Sequence, residues 1–321
     1  MSLASTVSLG ALRLQAFQRS DLEGSGTISV PEMNQYISQS YKRLYDLLVS
    51  AYGNEYYVAP YFQFILNAAQ LYPLPDGKLI SLGQTLPAPA LYKLIGVDLQ
   101  YSSSPTGFVT LKRFEEIERN RYSYPNTSVN MLGYTNLRYR ISGKNLEVVP
   151  LPASGQLVQL KYIPQPTSLQ FLPACGITLN SMTVTMADVG DLSVGMSVYG
   201  PGILPATTIT AVDLIANTVT ISNAALSTLP VVTLAFWIDS VIMDGVSGWE
   251  EYIVIDAAIK ARCKQEEDVT ELRNQKAEMV ADIASMAEGR DVGQAHHVSD
   301  AMGTMFFDDG YGDGSGSMGG M

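Results

Sequence analysis

Histidine and cysteine are nearly missing: the 321 residues hold two of each. His296 and His297 are adjacent in a polar stretch, so catalysis by a histidine general base has almost no place in this chain. Cys175 and Cys263 lie far apart without CxxC spacing. That removes a disulfide framework and a thiolate zinc site, and it suits a reducing compartment. No stretch approaches the roughly 20 consecutive apolar residues of a membrane span. Met1 to Gly10 lacks a basic segment followed by a long apolar run, which predicts no secretory leader. A P-loop, a GxSxG elbow and a Rossmann GxGxxG are also missing. These absences predict a soluble protein made in the cytoplasm, with no catalytic role, no cofactor and no membrane partner.

Charge is scarce as well, at 16% of residues against 46% hydrophobic. The apolar fraction is ample for a real core, and the low charge points to surface covered by partners. The net charge of −11 is unevenly placed. Residues 249–321 carry 15 acidic and 6 basic side chains, a net −9, and the first 248 residues carry only −2. An acidic C-terminal end argues against gripping nucleic acid, which needs Lys and Arg to neutralise phosphates. It suits a wall past which DNA slides without sticking.

Helical spacing opens the chain. Leu9 to Gln18 predicts one helix, broken at Asp21 to Gly26. Ser29-Val30-Pro31-Glu32 is a start signal: Ser29 accepts from a free helix N–H, Glu32 reaches back, and Pro31 fits the first turn. Met33, Ile37, Tyr41, Leu44 and Leu48 then share one face as far as Ala51. Phe62 to Leu71 reads as helix or strand, and short helices are expected over Ala90 to Asp98 and Leu111 to Arg121. The period changes to strand at Leu137: residues 138–141 and 146–149 flank a Ser-Gly-Lys-Asn turn, and Leu157 to Ile163 adds a third strand.

Residues 172–236 contain no Lys, Arg or Glu and three Asp. Their alternating β-branched runs, split by Gly turns, predict a small inserted all-β module. After Asp244-Gly245, Ser247 to Glu250 reads as a capping box, with Tyr252, Ile255, Ile259 and Cys263 as the buried stripe. A break is expected at Glu266 to Asp268. Leu272, Lys276, Met279, Ile283 and Met286 then recur at helical spacing. The fold class expected is α+β: a helical-bundle core with a β-hairpin or small sheet (1–171 and 237–291), the inserted module (172–236), and a flexible acidic Gly-rich tail (292–321).

Two constellations bear on chemistry. Asp21 to Glu32 follows the spacing of a calcium loop, with Asp21, Glu23, Ser25 and Glu32 at ligand positions and Gly26 at the sixth. Position three is Glu rather than Asp, and no second loop pairs with it. The helix cap accounts for Ser29 and Glu32 better than a metal does. In the tail, Met302, Met305, Phe306 and Phe307 sit among Gly, Ser and Asp. Apolar anchors in a segment unable to bury them point to docking on a partner.

Several stretches together resemble the tailed-bacteriophage head-to-tail adaptor (connector, head-completion) family. They are Leu44 to Leu48, Leu91 to Asp98, Glu118-Arg119-Asn120, Tyr139 to Gly143 leading to Pro150-Leu151-Pro152, and above all Gly248-Trp249-Glu250-Glu251-Tyr252-Ile253-Val254-Ile255-Asp256-Ala257-Ala258-Ile259-Lys260 with Glu266 to Val269. The resemblance covers residues 9–170 and 237–291, and residues 172–236 depart from the compact form. It implies a structural virion protein at the neck, in a closed ring, commonly of twelve copies, docked under the portal protein. Such a ring lines part of the DNA channel without sequence-specific binding and contacts tail, nozzle or gatekeeper proteins. A tail-tube terminator or gatekeeper is the alternative within the class, and a calcium-binding regulator is the alternative outside it.

Overall fold

The computed structural model describes residues 8–24, 26–53, 57, 61–101, 107–118, 120, 137–243 and 248–289. Helices lie at both ends of this range. α1 (Leu9–Arg19) starts at Ser8, whose Oγ accepts from the Ala11 N–H at 3.3 Å. α2 (Val30–Tyr52) starts at the anticipated cap, the Glu32 N–H donating to Ser29 Oγ at 3.4 Å with Pro31 in the first turn. α3 (Glu250–Lys264) and α4 (Thr270–Gly289) close the described chain. Their break comes where expected: Glu266 takes a left-handed φ of 59°, and Asp268 Oδ1 accepts from the Thr270 N–H at 2.9 Å to start α4.

Between the helices the chain is strand. β1 (Phe62–Ile65), β8 (Leu157–Pro164), β3 (Leu91–Gln100) and β4 (Phe108–Thr110) form one antiparallel sheet in that order. β2 (Leu71–Pro73), β7 (Asn145–Val149), β6 (Arg138–Ser142) and β5 (Lys112–Arg113) form a second, with β5 parallel to β6. The two share a core of Phe62, Tyr72, Val97, Leu99, Leu146, Val148, Val158, Leu160 and Tyr162. The third sheet has eight strands: β15 (Leu229–Thr233), β10 (Ala174–Ile177), β11 (Thr183–Met186), β14 (Thr218–Ile221), β13 (Thr207–Asp213), β12 (Ser197–Tyr199), β16 (Ala235–Trp237) and β9 (Gln170–Phe171). Val184, Val198, Ile209, Val219, Ile221 and Phe236 fill its own core.

The expected helical-bundle core is therefore corrected. The protein is β-rich, with sheets of four, four and eight strands and four helices among the described residues. Two segments account for much of the difference. Leu91 to Asp98 is not helical but lies in the ten-residue β3, paired with β8 from Leu91↔Pro164 to Leu99↔Val158. Its Leu and Ile content fits either period, and partners some 60–70 residues away decide it in favour of strand. Leu111 to Arg121 is likewise not one helix. Leu111 and Phe114 are buried as anchors, Lys112 and Arg113 pair with β6, and a single 3₁₀ turn spans Glu116–Glu118. A charged segment with no continuous apolar face gains little from packing as a helix. Phe62 to Leu71, open between helix and strand, splits into β1 and the start of β2.

The helices form a layer of their own. α3 packs against α1, α2 and α4, and it is buried round most of its circumference, Tyr252 through Ala258 together with Ala261. The expected narrow stripe was too narrow, and its last member, Cys263, is exposed. The layer is tied to the third sheet at the start of α1. There the Leu9 N–H donates to Val241 O and the Gly10 N–H to Asp239 O, at 3.0 and 2.9 Å. Arg13 donates to Asp239 Oδ1 at 2.7 Å, and Trp237 Nε1 donates to the same atom at 2.9 Å.

Candidate functional site

The most concentrated polar arrangement lies inside the helical layer. Asp256 of α3 is only 3% exposed. Its Oδ2 accepts from Ser40 Oγ of α2 at 2.7 Å and from Lys260 Nζ, one turn further along α3, at 2.9 Å. Its Oδ1 accepts from Lys276 Nζ of α4, whose ammonium stands 5.5 Å from the centre of the Tyr252 ring. Burial alone would raise this carboxyl; donation from Lys276, Lys260 and Ser40 outweighs it and holds the group at about 2. A carboxylate 3% exposed and engaged by three donors serves as a structural junction. It joins three helices, and its partners keep one another's charges from being stranded.

In the sequence Lys276 stands in the helical repeat of Leu272, Met279 and Ile283, which does not name its partner. A lysine between Leu272 and Met279 on a packed face was the available sign of a buried acid partner. Lys260, four residues after Asp256, was the other.

The residues of the calcium-like spacing are not drawn together around a centre. Asp21, at φ 56°, follows the C-cap of α1 and accepts from Arg262 of α3 at 3.3 Å. Glu32 accepts from Lys264 of α3 at 2.6 and 2.8 Å and from the Tyr36 hydroxyl at 2.9 Å. Burial pushes the Glu32 carboxyl up, but Lys264 and Tyr36 bring it below its ordinary range. Glu23 is exposed, and Ser25 lies outside the described residues. Among the described residues no three of His, Cys, Asp and Glu gather at metal-binding distance. The first and last acids of the loop instead clip it to α3, through cations 241 and 232 residues away that no local pattern announces.

The sequence matches no protein-family model, and no curated protein is significantly similar to it. An open groove of about 660 Å³ between α1 and α3 is lined by Gln18, Arg19, Glu250 and Glu251 together with the apolar Val254 and Ile255. Met302, Met305, Phe306 and Phe307, expected to dock on a partner, and the His296-His297 pair lie outside the described residues.

In the third sheet the connecting loops expose Val194, Leu214, Ile215 and Leu226, and the edge strand β15 exposes Val231. No helix among the described residues is long and apolar enough to cross a membrane.

Proposed function

We propose that this chain is a non-catalytic structural subunit of a tailed-phage neck: a head-to-tail adaptor that closes into a ring, docks on the portal protein and lines part of the DNA channel. One observation carries the reading. The stretch with the most specific resemblance to that family, Gly248 to Lys260, forms the helix against which all three other helices pack. Its Asp256 is the acid that fixes α2 and α4 in place. The family-like residues are thus the ones that set the geometry of the helical layer. The acidic excess after Trp249 suits a wall that must not hold DNA, and the exposed apolar side chains suit a subunit designed to be covered by neighbours.

A second reading stays in the same class. The strand-dominated fold favours a tail-tube terminator or gatekeeper, which resemblance associates with β-rich subunits. Native mass spectrometry or cryo-electron microscopy with purified portal and with tail-tube protein separates the two. The adaptor reading expects a closed ring on the portal; a ring only on the tail tube selects the second reading, and a persistent monomer with neither rejects both. Deleting residues 301–321 should weaken portal docking while leaving the fold intact, and an unchanged affinity removes the role assigned to Met302, Met305, Phe306 and Phe307.

A further inference from the structure

The third sheet closes on itself. β9 and β10 are successive parts of one strand, and β15 and β16 of another. These two run side by side, from Gln170↔Trp237 through Phe171↔Phe236 and Ala174↔Thr233 to Ile177↔Leu229. From β10 the pairing passes through β11, β14, β13 and β12 and arrives at β16, so the ladder returns to where it began. The result is a six-stranded barrel, and closure removes the unpaired edges that an open sheet presents.

Everything that fills the barrel comes from one stretch of chain. Its buried core runs from Cys175 to Phe236, and the partly buried residues against it lie between Phe171 and Ile238. The core of the first two sheets draws only on residues 62–162. Ties between barrel and body are sparse. The chain enters and leaves side by side at Gln170 and Trp237, and there Ala235 and Trp237 join the helical core. Beyond that root, one side-chain bond among the described residues joins residues 171–236 to the body. Lys78 donates to Asp188, both side chains being more than half exposed, and solvent screens such a pair. The bonds that seat α1, to Asp239 and Val241, come after the barrel has ended.

We propose that residues 171–236 open and close as a cooperative unit of their own, separately from the helical layer. The stretch has 66 residues, a size at which small domains fold alone. Its two ends are neighbours, so the opened barrel becomes a loop, and closing a long loop costs little more than closing a short one. The helices keep the Asp256–Lys276 pair and most of their apolar core whether the barrel is closed or open. The module is thus an accessory that the body carries and does not need for its shape. The inference goes beyond the neck reading and does not rest on it.

The test uses the full chain with Cys263→Ser, which leaves Cys175 as the only thiol, 2% exposed in the barrel core. Its labelling by a thiol reagent in sub-denaturing urea reads barrel opening, and amide exchange over Tyr252 to Ala261 reads the helical layer. Val184→Ala, in the barrel core, should raise Cys175 labelling about tenfold or more and leave exchange in α3 unchanged. Asp256→Asn should raise exchange in α3 and leave the labelling unchanged. A rise of both readouts together with either substitution overturns the proposal, and so does labelling that Val184→Ala leaves unchanged. As a second check, residues 171–236 are replaced by Asn-Gly, a two-residue turn suited to the antiparallel pair Gln170 and Trp237. Protection of α3 retained in that shorter chain supports the proposal, and its loss overturns it.

Discussion

Lys276 of α4 and Asp256 of α3 meet in the interior of the helical layer, the ammonium donating to Oδ1 while the Tyr252 ring covers it. Lys260 and Ser40 occupy the other carboxylate oxygen. Removing the acid's charge leaves two largely buried cations without a counter-charge, Lys260 keeping only the neutral Tyr36 O and Ser40 Oγ. Asp256→Asn should therefore cost about 3–5 kcal/mol, the range for breaking one side of a buried pair. Urea unfolding measures it, and a loss below 1 kcal/mol would show that the site is wetter than its packing implies. The pH dependence follows from the same geometry. Burial opposes ionisation, but the three donors lower the folded-state group from 3.8 to about 2. A depressed acid stabilises the fold above its unfolded value and loses that contribution as pH falls. The wild type should thus lose on the order of 2 kcal/mol between about pH 4 and pH 2 from this group, and Asp256→Asn should lack that part of the slope.

Tyr252 lies at the same junction, fully buried, and its hydroxyl has no hydrogen-bond partner among the described residues. Burial, with the Asp256 charge adding to it, pushes the phenol up to about 12, so the group stays neutral. An unpartnered buried hydroxyl gives the fold nothing in return for its desolvation. Tyr252→Phe keeps the ring over Lys276 and removes the stranded atom. It should leave stability within about 0.5 kcal/mol of the wild type or raise it. A loss of more than 1 kcal/mol by thermal unfolding would reveal a hidden partner for the hydroxyl.

Local chemistry made part of this fold legible. The Ser29 cap with Pro31, the hairpin over residues 138–149 and the break at Glu266 each depend on neighbours within a few residues, and each is present. The three-sheet architecture was not legible, because its registers join distant segments. Leu91 finds Pro164 and Phe62 finds Leu160, and nothing near Leu91 tells strand from helix. The Asp256 site was half legible. Lys260 sits one helical turn away, but Ser40 comes from the other end of the chain.

Gly202, in the turn between β12 and β13, allows a sharper test of packing. Its φ is +76°, and a Cβ there would lie 2.9 Å from Ile177 Cδ1 and closer still to Ser227 Oγ. Gly202→Ala combines left-handed strain with overpacking and should cost about 3 kcal/mol. Gly195, at φ +91° with open space around it, isolates the strain alone. Gly195→Ala should cost about 1–2 kcal/mol. Chemical denaturation of the pair decides the matter: equal losses would mean that the Ile177 side chain yields freely.

Glu32 and Asp21 stand at the ends of the calcium-like spacing, yet each faces a cation of α3. Glu32→Gln removes the pair with Lys264, whose side chains are 27% and 44% exposed, so solvent screens it. The expected loss is under about 1 kcal/mol, and smaller still in high salt. Calcium would have to displace both Lys264 and Arg262 to gather these acids, so millimolar calcium should leave the melting temperature of the wild type unchanged. Calorimetric titration is the second check: a calcium-dependent heat that Glu32→Gln abolishes would show that the loop can leave α3 and close around an ion.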